Sequence, residues 1–323
     1  TRGESGGLAS GTEAYYSFDY ANIHFICLDS HDLDRRPGEP MARWLKADLE
    51  KARADWLIAF WHHPPYTKGS HDSDTEWQLI EMRENALPIL EAGGVDLVLG
   101  GHSHIYERSF LLDGAYATPT TAAGHVKDAG DGKPLGDGPY TKKPGQSAHD
   151  GAVYVVAGHG GTSVKGAGDH PVMHFSEVAN GSCILDVQDN RLSLVNIRED
   201  GAITDRFGII KGTGIMIATP DGGEHLQEGG SLEIQWATAG SVADVKIEYS
   251  TNDGAAWTTI ADSVPNTGKH TWTLPAIATT TALVRVSDAT DASVNDESNA
   301  GFEIGASEIV IPLGSTWKYD DQG

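Results

Sequence analysis

Three apolar runs constrain this chain more than any other feature: "IHFICLD" at 23–29, "WLIAFW" at 56–61 and "VDLVL" at 95–99. Each has the length and composition of a buried strand, and the stretches between them carry helical spacing. In "PMARWLKADLEKARADW", Pro40 suits a first helical turn, and Trp44, Leu45, Leu49 and Ala52 fall on one face. "DTEWQLIEMRENALPILEAGG" offers Asp74 or Thr75 as a cap, a long apolar face and a glycine stop, and Pro88 is expected to kink or break it. A further β-rich run, "AYYSFDY", lies across the turn pair Ala21 and Asn22 from the first apolar run, so a hairpin or adjacent pair is expected there. This alternation predicts an α/β core whose ligand-facing residues sit just past the carboxyl ends of strands.

At 323 residues the chain exceeds what one compact core usually needs. From Leu111 to Gly151 glycine, proline, aspartate and lysine dominate without periodicity, as in a long solvated loop. "DAGDGKPLGDG" within it misses the acidic spacing of a calcium loop. The runs "AVYVVAG", "SCILDVQ", "RLSLVNIR" and "AITDRFGIIK" then close the core with strands. From about Ile215 only short strands with turns between them remain, including "SLEIQWA", "DVKIEYS", "KHTWTLP" and "ALVRVS", with Trp236, Trp257 and Trp272 as expected core. The expected division is 1–212 for the α/β domain, 213–305 for an all-β sandwich of immunoglobulin or fibronectin III type, and 306–323 for the start of a further segment or linker.

Acidic residues outnumber basic ones by 46 to 23, a net charge of −23. Such a field repels nucleic acid and anionic membrane surfaces, and no stretch reaches the length of a membrane span. Cys27 and Cys183 each lie in an apolar run and read as buried free thiols.

The chemistry gathers where two of the apolar runs end. "WLIAFW" runs into His62 and His63, and "VDLVL" runs through two glycines into His102 and His104. In an extended segment residues two apart point the same way, so His102 and His104 can face one site. Neutral imidazoles suit zinc, iron and manganese, and glycines let the backbone approach a metal or phosphate. His62 and His63 should diverge, with His63 packed or hydrogen-bonded and His62 the candidate ligand.

The blocks "HHPPY" and "GGHSHIYERS" together resemble the last two signature blocks of the metallophosphoesterases, and Tyr106, Glu107 and Arg108 point to the purple acid phosphatase branch. The resemblance covers roughly the first two thirds of the chain. It implies a β-sandwich core flanked by helices, with two metal ions (iron, zinc or manganese) that activate water for in-line attack on the phosphorus of a phosphate ester. On that pattern His62 and His102 hold one ion and His104 its neighbour. His71, in "GSHDSD", matches the first of a histidine pair that contacts phosphate and protonates the leaving oxygen; Asp72 stands where the second would be. Glu107 and Arg108 are expected to form a buried ion pair that fixes the loop; Tyr66 and Tyr106 are candidates for lining the pocket, with packing the default expectation for both.

The earlier blocks of the family, which supply aspartates and an asparagine with a histidine, do not stand upstream of these histidines. The expectation is therefore a catalytic domain lacking half of its metal ligands, inactive or weak by itself, from a parent that is secreted, periplasmic or on the cell surface. Two other functions fit the residues: a surface or carbohydrate-binding adhesion protein with a degenerate hydrolase domain, or a phosphodiesterase or nucleotidase on the same metal site. The oligomeric state is left open by the sequence.

Overall fold

The computed structural model describes residue 3 and residues 5–161, 163–166 and 168–306. The chain divides into two compact units, Thr1–Met216 with Ala237–Val242, and Ile217–Trp236 with Ala243–Gly323. Most of the expected segment 306–323 lies outside the described residues.

In the first unit, β1 (Tyr16–Tyr20) and β2 (Ile23–Cys27) form a hairpin turning at Ala21 and Asn22. There follow α1 (Pro40–Leu49), β3 (Trp56–Phe60), α2 (Trp77–Glu81), a π-helical turn Met82–Ala86, α3 (Leu87–Gly93) and β4 (Leu97–Gly100). The remaining strands are β5 (Tyr106–Ser109), β6 (Leu111–Leu112), β7 (Val126–Asp128), β8 (Tyr140–Lys142), β9 (Val153–Ala157), β10 (Met173–Glu177), β11 (Gly181–Gln188), β12 (Arg191–Arg198) and β13 (Ile203–Lys211). A seven-stranded sheet runs in the order β1-β2-β3-β4-β9-β5-β10, and a four-stranded sheet in the order β11-β12-β13-β8. The centre of the larger sheet, β2-β3-β4-β9, is parallel throughout.

Residue alternation sends each strand's side chains to two cores. From β3, Trp56 and Ile58 join Leu97, Val153, Leu192, Leu194, Phe207 and Ile209 between the two sheets. Leu57 and Ala59 instead meet Trp44, Leu45, Leu49, Leu87 and Leu90 on the helical side. The unit is thus a two-sheet core with helices on one outer face, an α/β architecture.

Several local expectations are corrected. Neither Asp74 nor Thr75 caps the second helical segment: the helix starts at Trp77 behind Glu76, whose side chain does not cap it. Asp74 accepts instead from the Thr120 N–H (2.9 Å) and hydroxyl (2.8 Å). Pro88 has no N–H to continue an α-helical ladder, and the π-helical turn just ahead of it absorbs the break without ending the helical segment. The glycine-rich stretch after Leu111 is not strandless, since it carries β6, β7 and β8.

Glu107 and Arg108 do not pair with each other. Adjacent strand residues point to opposite faces, so Arg108 makes a two-pronged pair with buried Asp205 (Nε to Oδ2 2.6 Å, Nη2 to Oδ1 2.9 Å), while Glu107 accepts from the Thr67 hydroxyl and the Lys68 N–H. The thiols of Cys27 and Cys183 are free but half-buried rather than buried.

The second unit is all β among its described residues. Ser231–Ala239 pairs with Lys269–Thr273, and a six-stranded sheet joins His225–Gln227, Phe302–Gly305, Thr279–Asp288, Asp244–Ser250, Thr258–Pro265 and Asn295–Glu297. Together they make a β-sandwich module. Trp236 and Trp272 are buried in it, but Trp257 is only half-buried and lies under the Arg285 guanidinium, 4.2 Å from the ring centre. No helix among the described residues is long and apolar enough to cross a membrane.

Candidate metal centre

The register of two parallel strands brings the histidine loops together. β3 and β4 pair as Ile58 with Leu97, Ala59 with Val98 and Phe60 with Leu99. The ladder continues past both strands, with the Trp61 N–H donating to Leu99 O (3.1 Å) and the Gly101 N–H to His62 O (3.0 Å). Gly100 is required here because a Cβ would meet Pro64 Cβ at 2.8 Å. His62 and His102, 40 residues apart in sequence, thereby stand with Nε2 and Nδ1 3.1 Å apart.

The segment after β4 is not extended. His102 has φ 60°, the left-handed region that histidine enters more readily than most residues. Short backbone contacts, Ser103 N–H to Gly101 O (2.6 Å) and Ile105 N–H to Ser103 O (2.8 Å), then coil the loop. His102 and His104 therefore do not share a face by simple alternation. The donor atoms of His62, His63 and His102 lie within 4.8 Å of one another, as do those of His71, Glu76 and His102. His104 is in neither group; its N–H donates to Ser70 Oγ (2.9 Å) and its carbonyl accepts from the Lys165 N–H (3.0 Å).

His71 lies against His102, with ring centres 3.7 Å apart. It is held there by Glu76, whose carboxylate oxygens are 2.9 and 3.0 Å from His71 Nδ1. Glu76 also approaches His102 Nε2 at 3.6 Å. His63 is buried with Nδ1 2.9 Å from Ser30 Oγ, and its ring centre is 4.4 Å from that of His102. Sequence reasoning missed Glu76 and Ser30, and passed over His63 as a member of the group. The signal for Glu76 was its place at the mouth of a helix, five residues past His71.

The electrostatics favour neutral imidazoles. Burial, and then the neighbouring His31, His71 and His104, hold His62 below the usual histidine range, and burial with His71 and His62 does the same for His102. Burial pushes His63 down to about 4, with His102 and His62 adding to it. Burial works against the Glu76 carboxylate, yet the Asp72 N–H and His71 outweigh it and hold it below its ordinary value. Neutral nitrogens with one ionised carboxylate are the donor chemistry that zinc, manganese or iron takes. The set fits one such ion well. It is short of the bridging carboxylates that hold two ions side by side.

Residues 4–106 match the calcineurin-like phosphoesterase family. Purple acid phosphatase 18 of Arabidopsis thaliana is 39% identical over 115 residues, 34% of this chain and 25% of its own length. An uncharacterized protein of Mycobacterium tuberculosis is 29% identical over 163 residues, 46% of this chain and 28% of its own. Among solved structures, the purple acid phosphatase of yellow lupin seeds aligns with TM-score 0.49 and 21% identity, over 61% of this chain and 32% of that one. The chain spans about a quarter of the length of the curated relatives it matches. With its two histidine blocks in order after neighbouring parallel strands, the first unit carries a match to the calcineurin-like phosphoesterases over residues 4–106 and is similar in sequence to purple acid phosphatases.

Proposed function

We propose that the first unit is the metal-binding part of a phosphatase that hydrolyses phosphate esters at a dinuclear centre, as the family does. The observation that carries this reading is the convergence of His62 and His102 at 3.1 Å, with His71 and Glu76 packed against them. His62 and His102 are the proposed ligands of one ion. His104, close enough to disfavour a proton on His62, is the proposed ligand of the other. Bound iron, zinc or manganese would activate water and stabilise charge on the phosphoryl oxygens.

The chain's own residues do the rest. Glu76 accepts from Nδ1 of His71 and so orients the ring, and once the ring is doubly protonated its Nε2–H would be the proton given to the leaving oxygen. Thr67 and Ser103 share a hydroxyl hydrogen bond (2.8 Å) that clamps the two histidine loops, and Glu107 accepts the Thr67 proton behind them. The carboxylates that a second ion needs are proposed to come from a segment upstream of this chain. The acidic surface and the family resemblance support a secreted, periplasmic or cell-surface protein. The sandwich module, with its own core, is proposed to serve for spacing or attachment rather than bond cleavage.

The test is metal content and hydrolysis of p-nitrophenyl phosphate, compared between this chain and a version extended upstream. The reading expects weak turnover for the chain, strong turnover for the extension, and loss of both metal and turnover in the extension with His62→Ala or His102→Ala. Metal-free, inactive extended protein would favour an adhesion protein with a decayed hydrolase domain. Activity confined to diesters or nucleotides would move the substrate class and leave the site assignment standing.

A further inference from the structure

A second group of ligand-type side chains lies away from the histidine centre. Glu91, in the last turn of α3, is buried, at 2% exposure. Its Oε2 accepts from the Gly114 N–H (2.7 Å) and the Tyr116 hydroxyl (2.5 Å), its Oε1 accepts from the Tyr154 hydroxyl (2.5 Å), and its carboxyl group also lies within hydrogen-bond reach of Asp113. Asp113 and His149 complete the group, with His149 Nδ1 2.9 Å from Asp113 Oδ1. One ligand atom from each of the three residues lies within 4.8 Å of the other two.

Three features mark this as a built arrangement. The backbone brings the pieces together, since the His149 N–H donates to the carbonyl of Glu91 itself (2.9 Å) and the Asp113 N–H donates to His125 O (2.9 Å). His149 adopts φ 56°, a conformation that costs a side-chain-bearing residue energy and here turns its imidazole onto Asp113. Two carboxylates also face each other while, among the described residues, neither pairs with a lysine or arginine. Like charges so placed repel unless a proton or a cation lies between them.

We propose that Glu91, Asp113 and His149 form a second divalent-cation site, taking zinc or manganese. The ion would take the place between the Glu91 and Asp113 carboxyl groups, each supplying an oxygen, and His149 supplies a nitrogen. That is a mixed set of the kind zinc and manganese accept, with water completing the shell. Tyr116, Tyr154 and the Gly114 N–H become the outer partners that orient a ligating carboxylate. The site joins the end of α3, the stretch after β6 and the loop leading to β9, and so locks three segments of the first unit. It does not depend on the phosphoesterase reading, because it shares no residue with the histidine centre.

The experiment uses the chain with His62→Ala and His102→Ala, stripped with EDTA and titrated with zinc against a chromogenic chelator. The proposal expects one zinc equivalent to remain bound and to raise the thermal midpoint. Adding His149→Asn, which tolerates the left-handed backbone, or Asp113→Asn should weaken that zinc by at least about 10-fold and erase the thermal shift, with the circular dichroism in EDTA unchanged. Absence of bound zinc in the double-alanine chain overturns the proposal. So does zinc binding that neither added substitution alters. If the unsubstituted chain binds no more zinc than the double-alanine chain, that counts against the phosphatase reading alone.

Discussion

The two ends of strand β4 carry opposite kinds of polar cluster. At its amino end, Asp96 is fully buried between two buried lysines, with Lys142 Nζ 2.6 Å from one oxygen and Lys211 Nζ 2.7 Å from the other. The two ammonium groups share this one carboxylate and are otherwise satisfied by carbonyls: Lys142 also donates to Val95 O and Gly151 O, Lys211 to Asp55 O and Gly145 O, and the Leu57 N–H donates to Asp96. At the carboxyl end, His62, His102 and His71 crowd together half-open to solvent with one carboxylate among them. A cluster that satisfies itself is structural. One that packs several imidazoles around a single carboxylate keeps ring nitrogens for the metal proposed above.

The sharpest way to break that contrast is Asp96→Ala. Two buried ammonium groups would lose their partner, which costs about 3–5 kcal/mol, and urea unfolding of the first unit should show it. His62→Ala should leave the unfolding midpoint of metal-free protein nearly unchanged and yet weaken zinc binding by about 100-fold or more, since even an outer hydrogen-bond partner is worth about 10- to 100-fold; chelator competition reads this. Glu76→Gln follows, with an expected loss of about 10-fold or more in metal affinity or turnover, because His71 would lose the anion that holds its ring. A larger effect on stability than on metal binding at Glu76 would place it with Asp96 instead.

The smallest expected effect is in pH. His63 titrates near 4 when folded, below the ordinary histidine value of 6.5. The unfolded chain therefore binds the extra proton first as pH falls from about 6.5, and metal-free protein should lose stability down to about 4, by at most about 1.4 kcal/mol per pH unit. His63→Gln should flatten this window in urea melts taken across it. A stability rising toward acid in that range would contradict the buried neutral imidazole.

Much of this was legible in the residues. The three apolar runs announced buried strands by composition, and the histidines at the ends of two of them announced that the two loops would meet at one edge of a parallel sheet. What escaped were contacts that no local pattern encodes. Arg108 finds Asp205, 97 residues away and across to the second sheet, and nothing near either residue signals it. The coil after β4 depends on His102 entering the left-handed region, which an HxH spacing does not reveal. Glu76 looked like one more acidic residue at a helix start until folding carried His102 to it.

The central claim is that His62 and His102 are brought together to hold a metal. Nitrogen NMR of the imidazoles, recorded on EDTA-treated protein and again with zinc, tests it directly. The account predicts that His62 Nε2 and His102 Nδ1 move to metal-bound shifts, while His24, clasped by Asp19 and Asp48, stays put. Unchanged His62 and His102 resonances in saturating zinc would contradict it.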